Sequence, residues 1–486
     1  MPAPMLFNSI NYFLFLSGLF FLNYILPGPF RWVLILIASV IFYLISGIQT
    51  IFVPIIIIVL TYVCGILIER TPSPVKRNFI FITGLLGNLG LLIFYKYVNF
   101  IVSTAVEGYR NINALFGGTH LTEPTIALQI IVPLGISYIT FQAVGYLIEI
   151  NRGNQKPELN PAYFASYMLF FPKLLSGPIE RAHNFLPQLR ENKDFNSTQI
   201  VEGLKRILWG LFLKLVVANR LAIYTDAVFN NFEQHSGITL LIASVFFTFQ
   251  LFADFAAYTD IAIGSAMILG YRLMENFNRP FMAVSVTEFW RRWHISLTTW
   301  VSDYIYNPIV IRFRNWNKFA VVFASISTFL ILGFWHGANW TFILFGLLNG
   351  IALSAEFLSR RIRKQAKSKL PKTISSAIGI TFTFSFFCFS CIFFKSDNVT
   401  DAFTIISGIL HFEGDFYIGT ISFFIYGLMG IIILFLKDIT DELRPSQFLF
   451  FKSKAKSIRL ISYCSTVILI LLFGVFDGGQ FIYFQF

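Results

Sequence analysis

The sequence contains little charge and few cysteines, and both shortages restrict the kind of protein it can be. Only 13% of the 486 residues are charged and four are cysteines, whereas 56% are hydrophobic and 18% are aromatic. A typical soluble domain has about 25% charged residues, and the mean hydropathy of +0.68 is far from the soluble range. The composition indicates a protein that crosses a membrane many times and has no sizeable soluble domain.

Signals for other classes of protein are also missing. Met1–Met5 lacks the basic start of a cleavable signal peptide, and the apolar run that follows reaches Leu26. Cys388 and Cys391 have the spacing of a redox pair, but they lie within the apolar run 386–394, which favours helix packing over thiol chemistry. The net charge of +12 is spread between the apolar runs, so we expect it to set membrane topology and expect no nucleic-acid partner.

Apolar runs long enough to cross about 30 Å of hydrocarbon recur along the chain, and each is expected to be a helix. The predicted spans are 6–28, a hairpin in the uncharged run 32–68, 78–95, 127–148, 207–225, 237–270, a hairpin in the uncharged run 319–355, 373–394, 417–436 and 460–476. Prolines and Lys173 interrupt 164–178, which predicts a re-entrant element, and the basic, aromatic segment 272–318 predicts interfacial helices. The fold class is therefore an all-α polytopic membrane protein with about 11–13 transmembrane helices.

Charge between the spans predicts the topology. Residues 360–372 hold seven basic side chains and no acidic one, which marks a cytoplasmic segment and places both termini outside. No internal repeat is apparent, and this weighs against the commonest transporter architectures.

Two histidines beside tryptophan are the leading functional candidates. His336 lies in the bend of the second uncharged hairpin, where an imidazole is costly and often functional, although a buried histidine bonded to a carbonyl is the structural alternative. His294 follows Arg291 and Arg292, whose guanidinium groups suit a phosphate-bearing donor or, equally, anchor an interfacial helix. If the residues from Lys318 to His336 form one helix, it covers about 27 Å and brings His336 deep into the membrane.

A second polar set lies in the run 237–270. Asp254 and Tyr258 are four residues apart and share a helix face, and a buried carboxyl must be paired or protonated. Gln250 and Asp260 belong to the same set. Substrate binding and packing between helices both remain open for these residues.

Several long motifs, in this order, resemble the membrane-bound O-acyltransferase family over nearly the whole chain. They are Pro133–Gln142, Phe170–Pro178, Asp254–Ala262, Glu275–Asn278, Glu288–His294 and Trp335–Gly337. More narrowly, the chain is similar to the bacterial branch that acetylates alginate and peptidoglycan and transfers D-alanine to teichoic acid. Lys173, where glutamine is common, and Ala256-Ala257, where Ser-Gly is usual, depart from the pattern of that branch.

The resemblance implies a bundle of helices around a central funnel, with His336 as catalytic base and His294 as the second family histidine. It implies one membrane domain over 1–486, made of N-terminal spans (1–158), a catalytic core (159–356) and C-terminal spans with an extracytoplasmic tail (357–486). Arg291, Arg292, Trp335, Asn339, Asp254 and Tyr258 are the substrate-binding candidates. No bound cofactor and no metal are expected, and acetyl-CoA is the expected donor.

Four of the last six residues are aromatic, and this stretch resembles the tyrosine-containing tail of a small companion protein of teichoic-acid D-alanylation. By that resemblance Tyr483 would carry the acyl group to an extracytoplasmic SGNH-type transferase and a cell-envelope polysaccharide. Packing in an aromatic belt is the structural alternative. The resemblance places the protein in the bacterial cytoplasmic (inner) membrane. A transporter or flippase for a lipid-linked sugar, with a histidine proton relay, is the rival function.

Overall fold

The computed structural model describes residues 5–115, 128–174, 177–411, 414–443, 451, 453–477 and 481. Within these residues the chain is helical and contains no strand, which confirms the all-α prediction. In chain order the helices are α1 (Ile10–Ile25), α2 (Arg31–Gly47), α3 (Phe52–Arg70), α4 (Pro74–Leu92), α5 (Val98–Leu115), α6 (Ile136–Asn151), α7 (Pro161–Leu169), α8 (Phe171–Leu174), α9 (Ala182–Arg190), α10 (Ser197–Phe212), α11 (Asn219–Phe229), α12 (Gly237–Ile268), α13 (Val286–Arg292), α14 (Ile295–Val301), α15 (Asn307–Arg312), α16 (Lys318–His336), α17 (Trp340–Leu358), α18 (Arg360–Ser368), α19 (Lys372–Lys395), α20 (Val399–Leu410), α21 (Ile421–Leu443) and α22 (Lys456–Phe473).

The chain forms two compact units. The first consists of the described residues within Met1–Met5, Leu22–Leu175 and Ile179–Lys193, and the second of those within Leu6–Phe21, Ser176–Pro178 and Asp194–Phe486. In the first unit α3 packs against α4, α6 and α7. The division of one domain into 1–158, 159–356 and 357–486 stays a prediction.

Ten helical stretches of the described chain are long and apolar enough to cross a membrane, and α1 and α20 are shorter apolar helices. The two predicted hairpins are confirmed as α2–α3 and α16–α17. Three helices continue through π-helical segments, at Ile93–Tyr97, Leu213–Ala218 and Ser302–Tyr306. In a π-helical segment the backbone hydrogen bonds run from residue i to i+5, and such segments are frequent at functional sites.

The predicted span 127–148 is only partly correct. Ala127 lies outside the described residues, and helix α6 begins at Ile136, after a non-helical approach. Gly135 has a left-handed φ of 66°, and an added Cβ there would overlap the carbonyl of Leu174. Hydropathy alone predicts that the helix starts near residue 127, whereas Pro133 and Gly135 delay its start until Ile136.

The interrupted segment 164–178 forms the short helices α7 and α8 in its described part, as predicted for a non-spanning element. The segment 272–318 also forms short helices, and half of the side chains of α13 and α14 are buried. Trp290, Trp293 and Trp300 are buried, whereas Trp316 is exposed.

In the second unit α12 packs against α10, α11 and α19, while α16 and α17 form a close antiparallel pair. An added Cβ at Gly333 would overlap the carbonyl of Phe342, and one at Gly346 would overlap the carbonyl of Phe329. These glycines let the two backbones touch and so fix the end of α16, where His336 lies.

Candidate active site

His336 is the last residue of α16 and is buried among aromatic rings. The centroid of its imidazole lies 5.0 Å from that of Trp335, 5.3 Å from Phe394 and 6.0 Å from Phe345. These rings belong to α16, α17 and α19, so three helices build the wall around one imidazole. Such a wall excludes water from a group able to take up a proton.

His294 lies between α13 and α14, fully buried and with a left-handed φ of 43°. Its Nδ1 is 3.1 Å from Oδ1 of Asn276, which also accepts the backbone N–H of Ser296 at 3.2 Å and the Ser296 hydroxyl at 2.8 Å. Because a backbone N–H can only donate, the Asn276 atom is the oxygen and Nδ1 of neutral His294 carries the proton. Nε2 therefore keeps its lone pair.

The Nε2 atom of His294 is buried and has no hydrogen-bond partner among the described residues. Backbone bonds hold the loop in place, with Ile295 donating to Asn276 at 2.8 Å and Asn278 donating to Arg292 at 2.9 Å. A left-handed non-glycine residue with an unused buried nitrogen is a common mark of a functional site. The motif Glu275–Asn278 contains Asn276, but its role depends on a contact that the sequence does not show.

The two histidines face the same tryptophan. The centroid of Trp335 lies 6.1 Å from that of His294 and 5.0 Å from that of His336. His294 lies outside the ten candidate spans; burial lowers its pKa well below the ordinary value, and the nearby His336 lowers it further. The lowered pKa favours the neutral form of His294, whose unprotonated Nε2 can accept a hydrogen bond.

Asp254 and Tyr258 are both buried and lie close to Lys214. The carboxylate of Asp254 pairs with Lys214 at 2.7 Å, and both side chains are buried. The Lys214 ammonium lies 5.5 Å from the Tyr258 ring centroid. In the same helix Gln250 accepts from the Thr225 hydroxyl at 2.5 Å and Asp260 from Arg206 at 2.7 Å. This polar set joins helices, which favours the packing alternative.

Asn339 caps α17 through its side-chain oxygen, which accepts the N–H of Thr341 at 3.0 Å, and donates to the carbonyl of Asp397 at 2.6 Å. Arg292 is bound by Glu288 at 2.7 Å and by both oxygens of Glu442 at 2.9 and 3.1 Å. Both side chains thus have structural partners, and their role in substrate binding stays a prediction.

Arg291, by contrast, is exposed and lines a cavity of about 520 Å³ between α13–α15 and the α16–α17 pair. Arg360 lines the same cavity, and neither guanidinium has a partner among the described residues. Glu356, the acid in the lining, accepts the backbone N–H groups of Val286 at 3.0 Å and Thr287 at 2.9 Å and pairs with Arg363, a third basic residue of the lining. The opening of the cavity is therefore positive.

The interior of this cavity is largely apolar and extends along α16 towards the histidine end. Thr328 and Leu332 line it, and Leu332 and His336 are four residues apart on one helix face. The Thr328 hydroxyl is buried and has no partner among the described residues. A ligand with a polar group near Thr328 and an anionic end at Arg291 and Arg360 would fit this lining.

A second cavity, of about 540 Å³, lies near Phe277 and Ile295, but its cations are neutralised. Arg206 pairs with Asp260 and Glu275, Lys205 with Glu202, Lys437 with Asp441, and Arg279 with Glu442. An anionic ligand would gain little there. Among the described residues, no group of three or more His, Cys, Asp or Glu side chains could hold a metal ion.

Phe481, the first of the last six residues, lies in the second unit. Phe481 is fully buried, with its ring centroid 4.3 Å from that of Tyr258 and 5.9 Å from that of Phe255. Phe255 in turn lies 4.7 Å from His294. Tyr483 lies outside the described residues.

The combination of a polytopic helical fold and a buried histidine pair is that of a membrane-embedded transferase. The model of the membrane-bound O-acyltransferase family matches residues 154–395. A probable alginate O-acetylase of Azotobacter vinelandii is 33% identical over 421 residues, covering 86% of this chain and 80% of that protein. A peptidoglycan O-acetyltransferase of Helicobacter pylori is 33% identical over 410 residues, covering 78% and 74%. A teichoic acid D-alanyltransferase of Bacillus subtilis is 29% identical over 269 residues, covering 54% and 68%.

The chain belongs to the membrane-bound O-acyltransferase family and is an acyltransferase. The resemblance predicted from the motifs is thereby confirmed.

Proposed function

We propose that the protein is an O-acetyltransferase that passes an acetyl group from a cytosolic thioester across the membrane for modification of an extracytoplasmic cell-envelope polysaccharide. The observation that carries the proposal is the buried pair His294 and His336 against Trp335, with Nε2 of His294 unprotonated and unused. The names of the alginate and peptidoglycan relatives support acetyl as the group and an envelope polymer as the acceptor.

The donor would enter through the cavity of about 520 Å³. Arg291 and Arg360 would bind the phosphates of a thioester such as acetyl-CoA, since guanidinium groups bind phosphate oxygens in pairs. The Thr328 hydroxyl would bond a polar group of the pantetheine arm, and the face of α16 would guide the thioester to His336. The side of the membrane follows from the basic segment 360–372, which we assign to the cytoplasm.

In the transfer step His336 would take the proton of an acceptor hydroxyl while the oxygen forms a bond to the acetyl carbonyl carbon. The carbon–sulfur bond breaks, and the proton passes to the departing thiolate, so no net proton or electron is exchanged. His294 would accept a hydrogen bond at Nε2 and orient the hydroxyl. The tautomer set by Asn276 makes Nε2 available for this.

The first acceptor would be the hydroxyl of Tyr483. Phe481 packs against Tyr258 and Phe255 beside His294, and two further residues extend at most about 7 Å. A phenol has an ordinary pKa near 10 and needs a base to become a nucleophile, which the histidine pair would supply. The acylated tyrosine would then donate to an extracytoplasmic SGNH-type transferase at the bacterial cytoplasmic (inner) membrane.

His336→Ala tests the proposal in reconstituted protein supplied with acetyl-CoA. Loss of a histidine base lowers a rate typically by about 10²–10⁴-fold, so thioester consumption and polymer acetylation should both fall by that order. His183→Ala, which removes an exposed histidine, is the control and should retain both activities. Near-normal acetylation by His336→Ala would refute the assignment.

The same preparation distinguishes the acyltransferase from the transporter. Movement of a lipid-linked sugar without any thioester would favour a flippase with a histidine relay, whereas consumption of thioester that depends on His336 favours the enzyme.

A further inference from the structure

Asn349 is a fully buried polar residue near the middle of α17, one of the apolar helices long enough to cross the membrane. Polar side chains are costly in hydrocarbon unless they are paired, so the partners of this amide indicate its role. Its amide nitrogen donates to the carbonyl of Phe345 at 2.9 Å, and its amide oxygen accepts the indole N–H of Trp290 at 3.1 Å. Asn349 thus joins α17 to α13.

The orientation of this amide is fixed by its two partners. A backbone carbonyl can only accept and an indole N–H can only donate, so the nitrogen of Asn349 faces Phe345 and its oxygen faces Trp290. Exchange of the two atoms would break both bonds. Both bonds therefore form in a single orientation of the side chain, which makes Asn349 a rigid link.

Each partner of Asn349 leads to one of the two histidines. The ring centroid of Phe345 lies 6.0 Å from that of His336. Trp290 lies in α13, which ends two residues before His294. One side chain therefore contacts the wall around the first imidazole and the helix that leads to the second.

A second contact holds the start of α13 on the same face of α17. Glu356 lies seven residues after Asn349, which places both on one side of the helix. Its carboxylate accepts the N–H groups of Val286 at 3.0 Å and Thr287 at 2.9 Å, and the Thr287 hydroxyl at 2.7 Å. Helix α13 is therefore bonded to α17 at its first turn by a carboxylate and further along by the amide.

A neighbouring face of α17 packs against α16, whose last residue is His336. Gly350 permits this contact as Gly346 does, since an added Cβ at Gly350 would lie 2.9 Å from the Cα of Ile326. Helix α17 thus contacts the elements that lead to both histidines, through glycines on α16 and through polar side chains on α13.

We propose that Asn349 is a positioning residue, which sets the separation of the two histidines by bonding α13 to the helix that packs against α16. The inference rests on the proposed roles of His294 and His336 in acyl transfer. With Glu356 still bonded to the first turn, loss of the Asn349 bond would release the end of α13 that leads to His294. A shift of about 1 Å in a reacting group can lower a rate by about 10²-fold.

Asn349→Leu tests the proposal, since leucine has a similar volume and forms neither bond. In reconstituted protein supplied with acetyl-CoA, kcat should fall by about tenfold or more. KM for acetyl-CoA should change less than kcat, because Arg291 and Arg360 at the opening of the cavity are unaltered. A rise in KM with unchanged kcat would overturn the inference.

Packing of helices by polar side chains is the structural alternative, and Asn88→Leu is the matched control for it. Asn88 is fully buried in α4, donates to the carbonyl of Gly84 at 2.8 Å and accepts from the Thr61 hydroxyl at 3.3 Å. We expect this variant to lower the midpoint of thermal unfolding as Asn349→Leu does and to retain kcat. Equal kcat in the two variants would show that the Asn349 amide only packs helices.

A double-mutant cycle with Trp290→Phe tests the bond itself. Phenylalanine keeps an aromatic ring and lacks the donor, so Trp290→Phe should also lower kcat, and unchanged kcat would overturn the inference even if Asn349→Leu does not fold. Once one partner is replaced the other has no bond to lose, so the double variant should be about as fast as the slower single variant. Losses that multiply would show that the two side chains act independently.

His336→Ala separates this inference from the proposed function. Near-normal activity of His336→Ala would remove the catalytic role of the histidine, whatever Asn349→Leu does. Loss of activity in His336→Ala together with normal kcat in Asn349→Leu would remove only the positioning role.

Discussion

At His294 the position of one proton follows from one backbone amide. The N–H of Ser296 identifies the oxygen of Asn276, and that oxygen directs the His294 proton to Nδ1. The consequence is a base that needs no rotation and no proton loss before it accepts a hydrogen bond. A residue 18 positions earlier in the chain thereby sets the chemistry of the histidine.

The hydroxyl of Tyr483 distinguishes an acyl carrier from an aromatic residue that only anchors the tail. Tyr483→Phe keeps the aromatic ring and removes only the nucleophile, so we expect acetylation of the polymer to be abolished while the amount of protein in the membrane is unchanged. Mass analysis of the polymer from cells that carry the variant checks this. Acetylation at the normal rate would leave the tail as an anchor alone.

Lys173 is a fully buried cation outside the ten candidate spans. Its ammonium lies 3.9 Å from the ring centroid of Tyr167 and 5.0 Å from that of Phe185. Burial lowers the pKa of Lys173 to about 7, and the charge of Glu180 opposes the decrease. Cation–π contact therefore offsets only part of the cost of burying this charge.

The depressed pKa predicts how stability depends on pH. An unfolded lysine has a pKa near 10.4, so between about pH 7 and that value the unfolded chain binds more protons and stability rises with pH. The contribution is at most about 1.4 kcal/mol per pH unit. Lys173→Met should raise the midpoint of thermal unfolding in detergent at pH 7 and flatten its rise towards pH 9.5. An unchanged pH slope would show that Lys173 is not the titrating group.

At the scale of elements, the α16–α17 pair places His336. Gly333 and Gly346 lie where the two backbones meet, and a side chain at either would separate the helices. Because His336 is the last residue of α16, a small rotation of the helix moves its imidazole relative to Phe345 of α17 and Phe394 of α19. Displacements of about 1 Å can cost 10²-fold in rate.

Gly346→Ala tests this placement. The added methyl would overlap the carbonyl of Phe329, so we expect a loss of thioester consumption of about tenfold or more and a lower thermal midpoint. Gly18→Ala is the matched control, since Gly18 lies in α1 with open space around its Cα and alanine favours a helix. Equal activity of the two variants would mean that the close contact does not position the base.

At the scale of the whole molecule, two cavities of similar volume differ in charge. The cations of one are paired with acids, whereas the other presents Arg291 and Arg360 without partners among the described residues. Anionic donors should therefore be drawn to the cavity lined by Arg291 and Arg360, and more strongly at low ionic strength.

Replacement of both arginines should raise KM for acetyl-CoA and weaken its dependence on salt, with a smaller change in kcat, because the phosphates are remote from the reacting carbonyl. Arg291→Gln with Arg360→Gln is the test, and a rise in KM of about tenfold is expected from the loss of two charge-assisted contacts. Arg361→Gln, on the exposed helix α18, is the control. A KM equal to that of the control would place the donor elsewhere.

The sequence predicts what depends on local pattern. The uncharged run 319–355 folds as the predicted hairpin because its length and its bend at Gly337 determine two helices. His336 is a functional candidate because it lies within a long uncharged run, and its role as catalytic base is implied by the family resemblance. The start of α6 is missed because hydropathy does not report the left-handed turn at Gly135.

Contacts between distant parts of the chain could not be predicted in this way. No local pattern pairs Lys214 with Asp254 or Asn276 with His294, since each contact depends on how helices pack. Arg292 and Asn339 look like free polar groups in the sequence, yet both have partners that only the fold supplies. The catalytic role of the histidines and of Tyr483 stays a prediction.

The π-helical segment Leu213–Ala218 has the geometry of a helix that contains one extra residue. A helix that gains one residue absorbs it by widening one turn, and the residues on either side keep their faces. Deletion of Val216 should therefore restore a regular α-helix and leave membrane insertion and helix content unchanged. The Leu215 carbonyl would then be bonded within the helix and would no longer accept the N–H of Val475. Deletion of the exposed Phe94 from the segment Ile93–Tyr97 is the matched control. If the first deletion alone speeds hydrogen–deuterium exchange at the Val475 N–H, the one extra residue of this segment is what holds the backbone after α22.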